Sequence, residues 1–225
     1  MDVRDTNKNR SRPSKILGRS LEVLRNEGLK SFLFKVLGEI LYRRLILVER
    51  ALGEPQPFFR PVRDVVVEVL SWKDVSEYLE FRPDSKSKEI ERRLGMGQDC
   101  FAVFLGQKIV HAAWVTPGRA FVPYLGIHIE PCPGEFYLFD IYTKPKFRGM
   151  NLYLYREREM EKELRRRGCR RVIASVYPEN MPALKAMRKS GYRVAGKMGF
   201  LRLGPFRHDF FSRDGGPISP VDLHF

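Results

Sequence analysis

Residues 140–155 read DIYTKPKFRGMNLYLY. An apolar run suited to a strand ends at Pro145, the basic stretch KFRG follows, and a helical pattern starts at once. Such a junction has two readings. It is a tight strand-to-helix turn, or it is a phosphate site, because the first N–H groups of a helix lack intrahelical partners and the helix dipole favours an anion there. Arg148, beside Gly149, would add a cation to the same place.

Downstream, NLYLYREREMEKELRRRG (151–168) predicts a helix closed by Gly168. Its charges predict a solvated face in preference to a nucleic-acid surface, since Glu161–Arg165 and Glu163–Arg167 have the favourable i,i+4 order. RRVIASVY (170–177) predicts a strand, and NMPALKAMRKSG (180–191) a helix with Asn180 as N-cap. YRVAGKMGFLRL (192–203) predicts two short strands. Upstream, VRDVVVEVL (62–70) predicts a strand and SWKDVSEYLEF (71–81) a helix capped by Ser71. SKEIERRLG (87–95) adds a short helix. CFAVFLGQKIVHAAWVT (100–116) reads as two strands joined at Gly106–Gln107. AFVPYLGIHIE (120–130) and EFYLFDIYT (135–143) read as one strand each. From residue 62 the order is β-α-α-β-β-β-β-α-β-α-β-β, a mixed sheet with helices packed on it.

Ahead of this lies a different pattern. Residues 1–15 read as a disordered basic tail, and residues 16–53 as an amphipathic helical region with apolar residues at helical spacing up to Leu52. GEPQPFFRP (53–61) supplies a Pro-rich linker, taken as residues 54–61, which would make residues 1–53 dispensable for ligand binding by the 62–204 domain but not for solubility or location. Residues 205–225 read as a C-terminal tail. The N-terminal helices are expected to dock on the chain's own core or on a second subunit, in preference to a membrane surface, although Lys30, Lys35, Arg43 and Arg44 interleave with Phe32, Phe34 and Tyr42.

The 225 residues carry a net charge of +14, a balance that suits anionic partners without naming one. Cys100, Cys132 and Cys169 are sparse and form no CxxC pair, which argues for a reducing compartment and against disulfides or structural zinc. His111, His128, His208 and His224 have no metal spacing, so no metal is expected. No apolar leader is visible in MDVRDTNKNRSRPSK, and charge interrupts the most apolar stretch, 29–52. A cytoplasmic location, with peripheral membrane attachment as a variant, is the expectation.

Three local features resemble the GNAT superfamily of acyl-CoA-dependent N-acyltransferases. YTKPKFRGMNLY resembles its strand-Pro-x-x-Arg-Gly pyrophosphate loop. VIASVYPENMPALKAMRKSGY resembles its strand, Asn and helix ending in Gly-aromatic. The basic helix between them occupies the place of its CoA-facing helix. The resemblance implies an α/β mixed-sheet GNAT-like fold over about residues 62–204 behind an N-terminal helical extension. It implies acetyl-CoA, or another acyl-CoA, as co-substrate and a small-molecule or peptide amine as acceptor. Ile141, Tyr142 and Thr143 would lie along the pantetheine arm, with a strand N–H near Ile141 and Tyr142 holding the developing oxyanion. Arg148, Gly149, Met150, Asn151, Leu152 and Tyr153 would meet the diphosphate, and Asn180 would make a further ligand contact. Asp140, an acid inside an apolar strand, reads either as the base for the amine or as a salt-bridge partner for an arginine.

The chain departs from the family pattern in two places, the loop and the later helix. Asn151 and Tyr153 fill positions that are small in the family loop, and Met187 stands where many relatives carry a proton-donating Tyr. These departures motivate an alternative, a GNAT-fold acyl-CoA-binding module without turnover. The charge motivates another, a membrane-surface or nucleic-acid adaptor. Tyr124 and Trp114 read as acceptor-side or core aromatics.

Overall fold

The structure, a computed structural model, describes residues 41–53, 61 and 64–213. The chain divides into a larger unit, Arg44–Gly199 with Phe210–Phe225, and a smaller one, Met1–Arg43 with Phe200–Asp209.

The first strand, β1 (Tyr42–Ala51), precedes β2 (Val66–Val69). A 3-10 turn, Trp72–Asp74, leads into α1 (Val75–Phe81), followed by α2 (Ser87–Gly95). Next come β3 (Asp99–Leu105), β4 (Lys108–Thr116), β5 (Ala120–Val122) and β6 (Ile127–Ile129). The centre of the chain is β7 (Glu135–Thr143), a 3-10 turn at Pro145–Phe147, α3 (Leu152–Arg166) and β8 (Arg171–Val176). The chain continues through α4 (Met181–Lys189), β9 (Arg193–Leu203) and β10 (Phe206–Arg213).

Within the larger unit the main sheet has the order β9-β1-β8-β7-β4-β3-β2, and β5 and β6 pair separately. β7 and β8 run parallel, joined by α3, whereas β8–β1, β7–β4, β4–β3 and β3–β2 are antiparallel. A two-residue turn at Gly106–Gln107, with Gly106 at φ 59, joins β3 to β4. On one face Val115, Phe136, Leu138, Val172, Ala174, Met160, Leu164 and Met187 form a core beneath α3 and α4. On the other, Cys100, Ala102, Ile109, Ala112 and Trp114 pack against Tyr78, Phe81 and Ile90 of α1 and α2. Trp114 donates its indole N–H to the Tyr78 hydroxyl at 2.8 Å, which satisfies the one polar atom of a fully buried ring. In the smaller unit the described residues include the β9–β10 turn, where Arg207 stacks on Phe200 at 4.2 Å and pairs with Asp209 at 2.7 Å.

Four elements differ from the sequence expectation. Residues 42–51, expected as helix, form β1, which pairs with β8 from Ile46↔Val176 to Ala51↔Arg171. The reason is physical. Leu45–Val48 is a short continuous apolar run, and such a run satisfies a doubly buried strand as well as a helix face, so periodicity does not separate the two. β1 also lies upstream of the residue 54–61 linker, so the sheet does not begin after it. AFVPYLGIHIE folds back on itself as the β5–β6 hairpin, turning at Pro123–Gly126. YRVAGKMGFLRL is one strand, β9, because its glycines do not break the pairing. The chain beyond 204, expected as a tail, is strand up to Arg213. The expectations for residues 1–40, 54–60 and 214–225 lie outside the described residues.

Candidate functional site

The parallel pair β7–β8 opens along its length. β7 is in register with β8 from Glu135↔Arg171 to Leu138↔Ala174 and no further. Beyond that point β8 stays paired to β1 up to Val176, and β7 stays paired to β4 up to Thr143↔His111. Each strand therefore follows its outer neighbour, and the β8-side edge of residues 139–143 is left without a ladder. Backbone N–H and C=O groups exposed in this way need another partner.

A bulge starts the opening. The β4–β7 register passes from Ala112↔Tyr142 to Trp114↔Phe139, so β7 carries one extra residue, and Asp140 adopts φ 48. Asp tolerates this left-handed backbone better than most residues. The extra residue inverts the side-chain alternation. Phe139, Asp140 and Tyr142 all meet the α1–α2 side, while Ile141 and Thr143 meet the α3 side.

The loop after β7 is built for close approach. Arg148 N–H donates to the Pro145 carbonyl at 3.2 Å, closing the 3-10 turn, and the Arg148 side chain is exposed. Gly149 has φ 77 and nothing within 4 Å of where a Cβ would stand. Asn151, at φ 57, is the residue from which α3 starts, its carbonyl accepting from Tyr155 N–H at 3.0 Å. Met150 and Leu152 turn their side chains inward, so only their backbone faces the loop. Tyr153 does the same. Its ring meets His111 edge-on at 6.2 Å and lies 5.0 Å from the Arg156 guanidinium, and its hydroxyl is buried without a partner among the described residues. The large residue at this loop position is part of the core. Asn180 caps α4, its side-chain oxygen accepting from Ala183 N–H at 3.3 Å. It follows β8 as the 148–153 loop follows β7, so both stand at the C-terminal ends of the parallel pair, where α/β sheets take ligands. Met187, in the tyrosine's place, is buried in the core and has no proton to give.

Beneath the opening runs a buried polar chain that sequence reading missed. His111 Nδ1 bonds Thr143 Oγ1 at 2.8 Å, and Arg156 Nε donates to His111 Nε2 at 3.3 Å. A guanidinium only donates, so Nε2 is the acceptor, the ring is neutral, and Nδ1–H donates to Thr143. Burial, then the Arg156 charge, hold the His111 pKa well below its usual value. Arg156 Nη1 bonds Glu157 at 2.6 Å. Arg50 of β1 joins Glu157 at 3.1 Å and Glu161 at 2.8 Å, and Tyr192 donates to Glu157 at 3.1 Å. Arg50, Arg156 and Glu157 are all within 2% of full burial. Glu161 thus pairs across the fold with Arg50, while the expected Glu163–Arg167 pair forms at 3.0 Å. The signal was present in the sequence. Leu152, Arg156, Glu157, Met160 and Leu164 share one helical stripe, and charges on an apolar stripe announce buried pairs.

On the opposite face Asp140 sits between two guanidinium groups, Arg93 Nη1 at 2.8 Å from Oδ2 and Arg82 Nη2 at 3.3 Å from Oδ1. Of the two sequence readings, the salt-bridge geometry is present. A carboxylate offers about four acceptor positions, which leaves room for a further donor. Among the described residues no cluster of His, Cys, Asp and Glu could hold a metal, and no helix is long and apolar enough to cross a membrane.

Comparison with known proteins follows the same outline. The model of the acetyltransferase (GNAT) family matches residues 67–192. No curated protein sequence matches the chain. Among solved structures, a GNAT-family protein from Novosphingobium aromaticivorans is 18% identical, with 70% of this chain and 63% of that one covered and a TM-score of 0.48. A GCN5-related N-acetyltransferase from Sphaerobacter thermophilus is 17% identical, with 82% and 57% covered and a TM-score of 0.51. An aminoglycoside N-acetyltransferase in complex with CoA is 16% identical, with 57% and 91% covered and a TM-score of 0.46. The chain thus spans less than two thirds of the first two.

Proposed function

The chain belongs to the GNAT acetyltransferase family, and on that footing we propose that it is an N-acetyltransferase moving the acetyl group of acetyl-CoA to an amine. The observation that carries the reading is the unpaired β8-side edge of Phe139–Thr143, which runs directly into the Arg148–Tyr153 loop. An extended pantetheine arm bearing amides fits such an edge, because it restores the missing hydrogen bonds as a strand would. A diphosphate fits the loop, where the exposed Arg148 stands three residues before the α3 N-cap Asn151 and Gly149 leaves space. CoA supplies an acetyl group activated as a thioester.

The chain's own residues then have separable tasks. Ile141, Tyr142 and Thr143 align the arm through their backbone, and a freed N–H near Ile141 and Tyr142 meets the charge developing on the carbonyl oxygen. The neutral amine nitrogen bonds the acetyl carbon, the carbon–sulfur bond breaks, and the thiolate leaves. With Met187 unable to protonate it, departure as thiolate is tolerable for a thiol of pKa about 8.5. The amine's proton passes to water and to Asp140, the carboxylate beside the free edge. Asn180, with its cap bond made, retains amide donors for the ligand at the same end of the strands.

Arg148→Glu tests this reading. It removes a favourable contact with phosphate and adds a repulsive one, so CoA affinity measured by calorimetry should fall at least about tenfold. Unchanged affinity would remove the loop from the site.

A further inference from the structure

We propose that the acceptor is a zwitterionic amine of the α-amino-acid kind, its carboxylate taken by Arg82 and its amine directed at Asp140. This rests on the proposed acetyl transfer and adds the acceptor's chemical class. The free edge of β7 borders two faces of the sheet. The α3–α4 face is apolar beside that edge, with Met160, Leu164 and Met187 buried and Ile141 packed against them, and offers an amine no charge. An amine therefore reaches the edge from the other face, onto which the bulge has turned Phe139, Asp140 and Tyr142, each half-buried.

That face carries a particular charge arrangement. Glu89 holds Arg93 Nε at 3.0 Å and Arg92 at 2.9 Å, and Asp140 holds Arg93 at 2.8 Å. Arg82 meets Asp140 through one nitrogen at 3.3 Å, with its guanidinium 4.3 Å above the Tyr142 ring. Three guanidinium groups thus face two carboxylates, and the excess positive charge belongs to Arg82, the least tightly held. Lys144, 5.6 Å over the Phe81 ring that itself abuts Tyr142, faces the Glu80 carboxylate and leaves that excess unchanged. A polycation is disfavoured beside such a set, and an anionic group is favoured.

Spacing narrows the class. Asp140 Oδ1 and Arg82 Nη2 present opposite charges 3.3 Å apart, and an α-amino acid carries its ammonium or amine and its carboxylate on one carbon, at similar separation. Planar, fork-shaped guanidinium is suited to a carboxylate, and the Tyr142 ring beneath Arg82 holds the fork in orientation.

The test measures CoA thiol release by the full chain with alanine, leucine and glutamate as free acids, the same three as carboxamides, a linear polyamine, and an aminoglycoside. The free acid's amine is more basic than the amide's, so chemistry alone favours the amide. The expected kcat/KM is nonetheless at least about tenfold higher for free acids, the size of a charged hydrogen bond. Arg82→Gln should collapse that ratio through the free acid's KM with CoA affinity unchanged, and Arg82→Lys should restore part of it. Amides, polyamine or aminoglycoside as good as free acids would overturn the proposal while leaving acetyl transfer standing. So would a ratio that survives Arg82→Gln, or CoA binding with no acceptor in the panel acetylated. Absence of CoA binding would overturn the proposal and the parent reading together.

Discussion

Asp140 joins backbone strain to charge. A non-glycine residue at φ 48 persists only where its surroundings hold it, and two arginines do so here. Asp140→Asn preserves size but removes the charge. If the carboxylate takes the amine's proton through water, turnover should fall by about 10²- to 10⁴-fold, while calorimetry shows CoA affinity nearly intact. Unaltered turnover would make Asp140 a clamp for Arg82 and Arg93 and nothing more. His111 supports a different expectation. Its pKa is lowered on folding, so below the unfolded value of about 6.5 the unfolded chain binds a proton that the folded chain resists. This contribution to stability is complete above that pH and is lost as pH falls. Between pH 6.5 and 5.5 the loss grows by about 1 kcal/mol. His111→Gln, compared with the parent by chemical denaturation across that range, should flatten the pH dependence by this amount, and an equal slope in both would contradict the buried neutral imidazole.

At the scale of elements, β1 changes where the domain begins. The sequence placed a boundary at the Pro-rich stretch because composition changes there, and the helices and most strands after it, the β5–β6 hairpin, β9 and β10 apart, were legible from caps, turn glycines and alternation. β1 was not, since a run such as Leu45–Val48 carries no period of its own. The bulge was equally hidden, because an aspartate in a strand looks alike with and without an extra residue. The buried network was half legible: charges on the apolar stripe of α3 announce buried pairs, but Arg50 as their partner is set by strand order, which no local pattern states. The helix starts after β7 and β8 were legible because their physics is local. A chain beginning at Arg60 loses Arg50 along with β1 and leaves Glu157 and Glu161 short of a buried partner. Removing one member of such a pair costs about 3–5 kcal/mol, so Arg50→Met alone should lower Tm by about 6–20 °C. Lys162→Ala, at the exposed pair with Glu159, should cost less than about 1 kcal/mol. Equal melting of Arg50→Met and the parent would contradict the network's role.

At the scale of the whole molecule, a net charge of +14 draws anions from solution, and salt screens that attraction. It does not choose where an anion binds. On the proposed reading that choice falls to the opening between β7 and β8, to which the two parallel strand ends, the Arg148 loop and the α4 cap are all adjacent. Amide hydrogen exchange with and without saturating CoA reads that opening directly, because backbone N–H groups without a ladder partner exchange freely until a ligand takes their bonds. The expected result is slowed exchange confined to residues 139–143 and to the first turn of α3, with β1 and β3 unchanged. Calorimetric binding of CoA with exchange in 139–143 unaltered, or with protection falling elsewhere in the chain, would contradict the placement of the cofactor along β7.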